Sequence, residues 1–504
     1  MKRIQADDIE LDIERVKHDA RTTNEVLSEE DTFLLSNLQA EAQRDISSLD
    51  NEISQVQEHI TQLQDKLQAL LNARQKKVEQ SSWIQVGLAP QKKIPPEILA
   101  EIFLSCLDGQ PTNVPPQSSS SEIPWVLCHV CSHWRVVAIS DPRLWANINI
   151  SSSEKVHKAA FCEVLSRSRN LRLVLDACQV ESMPNIIDII LKHRERIQSL
   201  SLPIKFTNTS LTTKLSRFTK LTTLSLVYRH KSNNFPKPLS PFSLPTALQN
   251  LRITSNAPRY MDFRNVGLSL QSTAWAQLRS FQILSPIFIN ALDILVILGQ
   301  CHMLSKCEIA LETDLRVTLE YPQPITVPAL KSITIYPEWF TLGPFLGSLV
   351  LPSLTDLVIG PNMQPKWPQD EVLALIQRSR CSLTSFTSRG CCVPSNLVLP
   401  LMRAMPDLTV LNIETSISRP IPYEVFNTIQ VENLVPALEE IYLLIDNPKT
   451  VLDFLEGRWS EGKNKGIQRG TIYFRKEIEE DEGGVAKLQA AMVANDAHIT
   501  IKFV

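Results

Sequence analysis

Glycine is scarce in this 504-residue chain, with 14 residues against 32 prolines. At about 3% it stands well below the roughly 7% of an average protein. The shortage argues against function built on glycine-rich phosphate loops. No G-x-x-x-x-G-K-[ST], no strand-borne G-x-G-x-x-G, no G-x-S-x-G and no H-E-x-x-H occurs. An excess of one charge is missing too, since 51 Lys and Arg against 54 Asp and Glu leave a net of −3. A grip on nucleic acid needs a basic excess. Long apolar runs are lacking. The most apolar stretch, Ile287 to Leu298, is broken by Asn290 and Asp293 and falls short of the about 20 residues that a bilayer requires. No apolar segment follows Met1-Lys2-Arg3, so no secretory signal is expected. Ten cysteines in a chain of this length are not a disulfide framework; reduced thiols and a cytosolic or nuclear protein are expected.

What is present is patterned. Residues 1–33 are acidic and polar and read as a flexible leader. Ile46, Ile53, Ile60 and Leu67 then recur every seven residues, and Leu49, Val56, Leu63 and Leu70 recur with the same period three residues later. These are the a and d positions of four heptads. With no Pro or Gly between 34 and 82, one long amphipathic, coiled-coil-like helix over 34–82 is predicted. Ile at a and Leu at d favour a parallel homodimer through residues 46–70. The alternative is that the stripe folds back onto this chain's own core. Ala89-Pro90 and Pro95-Pro96 end the helix.

From about residue 197 the pattern apolar-x-x-apolar-x-apolar recurs, starting at Ile197, Leu221, Leu248, Leu278, Leu304, Leu330, Leu354, Leu383, Leu408 and Leu438. Only the Leu383 copy departs, with Ser388 in the third place. At 43% apolar residues a single chance match is common. Nine strict matches among ten copies, at spacings near 27 residues, are a repeat. The last two apolar positions share one strand face, and stacked units bury a core that one unit alone cannot make. Asn185 to Leu191, Glu371 to Ile376 and Leu397 to Met402 have the helical spacing of a return path. The array resembles leucine-rich repeats. The Asn/Cys ladder position is filled only at Asn256, Asn362 and Cys391, so a bent, irregular arc is expected, with a Pro-rich excursion at Pro236 to Pro245 and short strands at Ile499 to Val504.

Between helix and repeats lie Ile94-Pro95-Pro96-Glu97-Ile98-Leu99, Ile102-Phe103 and Leu107, then Val130-Cys131-Ser132-His133-Trp134-Arg135, and finally Pro142-Arg143-Leu144-Trp145. These clusters resemble an F-box over 88–150, interrupted by a Pro/Ser-rich insertion at 108–124. Its opening Leu-Pro is here Ile-Pro. The whole order resembles the expanded F-box families of mushroom-forming fungi. The resemblance implies a helical module docking the Skp-type adaptor of a cullin-containing ubiquitin ligase, with Ile94, Pro95, Pro96, Ile98, Leu99, Ile102, Phe103, Leu107, Val130, Cys131, Trp134, Leu144 and Trp145 in the docking region. The repeat domain, 151–504, then selects a protein substrate. A ligase-independent repeat scaffold with a vestigial F-box is the alternative.

The expected architecture is therefore α/β: a long helix, a helical F-box, and a leucine-rich-repeat-like solenoid with a parallel concave sheet. Residues between and just after the inward apolar pair point out of that sheet, which makes Arg252, Gln282, Lys306, Glu308, Tyr336, Asn412 and Tyr442 the candidate substrate surface. No catalytic residue, metal or cofactor is expected. Cys128-His129 and Cys131-Ser132-His133 lack a second ligand pair at zinc spacing. Cys391-Cys392 reads as structural, the sequons at Asn149 and Asn208 as unused, and Glu477 to Glu482 as a solvated loop.

Overall fold

The structure, a computed structural model, describes residues 14–504 except 20, 25, 117–121, 151–157, 178–183, 205–213, 229–242, 256–260, 271, 285–286, 313–322, 338–341, 361–366, 390–392, 414–420, 446, 461–465, 475–481 and 504. The three Asn/Cys ladder residues, Cys392, the Asn208 sequon, Ser151 of the Asn149 sequon, most of Pro236 to Pro245 and most of the acidic run lie outside the described residues. The chain divides into two compact units, Met1–Pro95 and Pro96–Val504.

The first unit is dominated by the helix Glu29–Leu88, 60 residues long. It begins inside the segment read as a leader, because Ser28 caps it: the extended Ser28 accepts the Asp31 backbone N–H on Oγ at 3.1 Å. Glu29, Glu30 and Asp31 fill the first turn, where negative charge meets the positive end of the helix dipole. The helix also outruns residue 82 and stops only at Ala89-Pro90. No residue along it is buried.

The second unit is built on a 17-stranded sheet, with every recorded pairing parallel. Fifteen strands follow one another in chain order, from Thr112–Val114 and Asn147–Ile150, through Leu173–Asp176, Ile197–Ile204, Thr223–Tyr228 and Asn250–Ser255, to Arg469–Phe474 and His498–Phe503. The short strands Met261–Asp262 and Ile287–Asn290 attach beside them. The register lines up the inward residues into rows. One runs Leu200, Leu224, Leu251, Phe281, Cys307, Ile333, Leu357, Phe386, Leu411 and Ile441, all of them buried. Helices Gln369–Ser379, Ser395–Ala404, Tyr423–Val431 and Pro448–Ser460 return the chain between strands and bury Val372, Leu375, Leu401, Phe426, Ile429, Phe454 and Leu455. A parallel sheet needs such crossovers, and the core lies between the two layers.

The sheet starts earlier than the repeat pattern. Thr112–Val114 lies within the segment read as a Pro/Ser-rich insertion, and Asn147–Ile150 and Leu173–Asp176 precede Ile197. The F-box-like helices therefore do not stand apart from the repeats. They share one compact unit with them. Among the described residues no helix is long and apolar enough to cross a membrane.

Candidate interaction surfaces

Two regions of the second unit carry most of the interaction residues singled out from the sequence, with Ile94 and Pro95 at the end of the first unit. The first is helical. Helix Pro96–Leu107 starts on a proline, whose fixed φ suits a first turn. It packs against helix Ser132–Ser140, with the Phe103 and Trp134 rings 5.0 Å apart. Cys131 caps that second helix, its Sγ accepting the Trp134 N–H at 3.4 Å. The turn Pro142–Trp145 closes the module, with Trp145 Nε1–H donating to the Ala138 carbonyl at 2.8 Å. Arg143 clamps the ends, donating to Asp141 at 2.8 Å and to Glu101 at 2.7 Å. Asp141 first, and Glu101 after it, push its pKa further up.

The module is tied to the first strands. Thr112 Oγ1 donates to the Leu144 carbonyl at 2.8 Å, and Trp125 Nε1–H donates to the Asn113 carbonyl at 3.0 Å. The Arg167 guanidinium, from helix Lys158–Arg167, lies 4.5 Å over the Trp145 ring, a cation–π geometry.

Burial divides the docking residues inferred from the resemblance. Leu99, Phe103, Leu107, Leu144 and Trp145 are core residues of this unit, turned toward neighbouring helices and strands, and present no surface to a partner. Trp134 and Ile94 are half-buried; Pro95, Pro96 and Cys131 are exposed. The exposed apolar side chains of the module are Ile98, Ile102 and Val130, at 54%, 41% and 55% exposure, together with Val136 at 66% and Ile139 at 36%. Val136 and Ile139 went unnoticed in the sequence because they lie between the motif's anchor residues. Their i, i+3 spacing on a short amphipathic helix was the available signal.

The second surface is the outward face of the sheet. The register strings Ser225, Arg252, Gln282, Glu308, Thr334, Val358, Thr387, Asn412, Tyr442 and Thr471 into one row across ten strands. Arg252, Gln282 and Glu308 are thus neighbours, as are Asn412 and Tyr442, and Thr334, Val358 and Thr387 separate the two groups. Lys306 stands in the adjacent outward row, and Tyr336 one step further along its strand. Glu308 is held from both sides, by Gln282 Nε2–H at 3.1 Å and by the Tyr336 hydroxyl at 3.2 Å. Burial, and after it the Glu308 carboxylate, push the Tyr336 hydroxyl pKa up. Gly360 lies under the Tyr336 ring, where a Cβ would collide with it. No motif in the sequence marks that glycine's place beside the candidate surface.

The Cys128 to His133 cluster separates in space: Cys128 is buried, His129 and His133 are exposed. Burial pushes the Cys128 thiol pKa up. Among the described residues no group of three or more His, Cys, Asp or Glu could hold a metal ion. No family model matches the chain, and no curated protein matches it.

Proposed function

We propose that this protein is a substrate receptor of a cullin-type ubiquitin ligase. Its helical module docks the Skp-type adaptor and its sheet face takes a protein substrate. One observation carries the reading. A small helical module with an F-box-like sequence carries exposed aliphatic side chains on its helices while sharing one compact unit with a long sheet whose second row is mostly polar. An exposed cluster of large aliphatic residues rimmed by polar ones is a protein-binding feature. The chain's own part in ubiquitin transfer is then positional, since a receptor holding a substrate lysine near the charged conjugating enzyme raises the effective concentration of the reacting groups. Strands about 4.8 Å apart make the ten-strand row roughly 45 Å long, the scale of a folded protein surface or an extended peptide.

Capture of the adaptor by the purified protein tests the reading. The double variant Ile102→Asp, Val136→Asp should lose adaptor capture by at least tenfold, with the melting temperature unchanged, because both side chains face solvent. Phe103→Ala should instead lower stability by about 3–5 kcal/mol, the cost of emptying a fully buried aromatic site. A protein whose adaptor capture is unaffected by the exposed pair does not dock through this face. A protein that captures no adaptor while its sheet still binds a partner is the ligase-independent scaffold.

A further inference from the structure

The helix Glu29–Leu88 carries its eight-residue a/d stripe fully outward: Ile46, Leu49, Ile53, Val56, Ile60, Leu63, Leu67 and Leu70 are 49–65% exposed. We propose that the stripe is the seam of an antiparallel two-stranded coiled coil with a second copy of this chain. Three features of the helix choose this occupant and this direction.

The first is symmetry. In an antiparallel pair, a layers face d layers of the partner. Setting Ile46 against Leu70 of the second copy also sets Leu49 against Leu67, Ile53 against Leu63 and Val56 against Ile60, so every stripe residue meets another. The same register places residue 29 opposite residue 87. The stripe is thus centred on the helix, and two copies overlap along nearly their full length. Parallel pairing requires no such centring.

The second is charge. Residues 29–58 hold eight carboxylates and one arginine, a net of −7. Residues 59–88 hold two carboxylates and four Lys or Arg, a net of +2. Antiparallel pairing lays each acidic half along a basic half. It also brings Glu52 beside Lys66 of the other copy, twice by symmetry, at the flanking positions that set orientation. Parallel pairing lays −7 against −7 and sets Asp45 against Asp50 of the other copy.

The third is the heptad after the stripe. Arg74 and Lys77 occupy its a and d positions. In a parallel dimer each would face its own copy inside the seam. In the antiparallel register Arg74 faces Ala42 and Lys77 faces Gln39. The Ile-at-a, Leu-at-d preference for parallel dimers is a packing preference, and repeated like-charge contact opposes it here.

Disulfide mapping on the full-length protein tests the proposal. Ile46→Cys and Leu70→Cys variants are prepared separately, mixed, oxidised and digested, and the linked peptides are identified by mass. The antiparallel seam gives 46–70 links between the two variants and leaves each variant alone unlinked at that site, since two copies of residue 46 then lie about 36 Å apart. Links of 46 to 46 and 70 to 70 would overturn the direction. A wild-type solution mass of 56.9 kDa at all concentrations, with no links, would overturn the dimer. Ile53→Asp with Leu63→Asp should halve the dimer mass while leaving the sheet's melting unchanged. Loss of the sheet in that variant would assign the stripe to this chain's own core instead.

Discussion

Cys307 lies in the buried inward row of the sheet between Phe281 and Ile333, with Cys301 buried nearby in sequence. Burial pushes the Cys301 thiol up to about 12. Burial, then Cys301 and Glu308, push Cys307 up as well. Only the thiolate is nucleophilic, so both are chemically silent in the folded protein. The linkage has a definite sign. A raised thiol pKa means that the unfolded chain gives up its proton first as pH rises, so the stability present below the ordinary thiol range falls as pH climbs through it. Cys106, Cys131 and Cys162 are exposed. A limiting dose of iodoacetamide at pH 8 should therefore label these three in the native protein and reach Cys301 and Cys307 only in denaturant, as peptide mass mapping would read. Native labelling of Cys307 would mean that the sheet core opens at that strand.

The elements show how much of this fold could be read beforehand. The ten pattern copies from Ile197 to Leu443 lie on or just ahead of ten of the parallel strands, and the helices at Pro184–Lys192, Gln369–Ser379 and Ser395–Ala404 cover the segments with helical spacing. Outside that run, the strand His498–Phe503 falls where short strands were expected, and the others escaped for particular reasons. Trp145, Ile148 and Ile150 do fit the pattern, but Trp145 also ends the F-box-like motif, so one residue serves two readings. Asn170 leads Leu173 and Leu175, which puts a polar residue in an apolar place. At Ile467, Gly470 and Ile472 a glycine takes the central place, for a reason only the backbone shows. Gly470 has φ +151, and a Cβ there would collide with the Ile441 carbonyl oxygen of the neighbouring strand. Gly470→Ala should cost about 2–4 kcal/mol in urea denaturation, from strain and overpacking together. Gly87→Ala, in the last helical turn with nothing within 4 Å, should be neutral or slightly stabilising. The exposed side of the helical module was only half readable for a related reason. Motif residues mark an F-box-like segment without telling its inward from its outward members, so Leu99 and Phe103 seemed equivalent to Ile98 and Ile102 until packing separated them.

At the scale of the molecule the core is distributed very unevenly. Among the described residues, apart from Val16, every buried apolar side chain lies between Leu99 and Ile499, while the 60-residue helix contributes none. A single helix in water is held only by its caps and local pairs, such as Gln75 donating to Glu79 at 2.8 Å, and gains most of its stability from packing an apolar face. The repeat unit, by contrast, is a run of nearest-neighbour strand contacts that stabilise one another. The two units should therefore lose their structure separately. A fragment of residues 90–504 should stay folded and melt at the same temperature as the sheet in the whole protein, monomeric and independent of concentration. The whole protein should show an additional loss of helical circular dichroism whose midpoint rises with protein concentration, as expected when folding is coupled to association. One concentration-independent transition for the whole chain would separate the helix from any partner copy. A fragment that could not fold would place the helix within the repeat unit's own stability, and the heptad stripe would then need a different explanation from the one its symmetry and charge support.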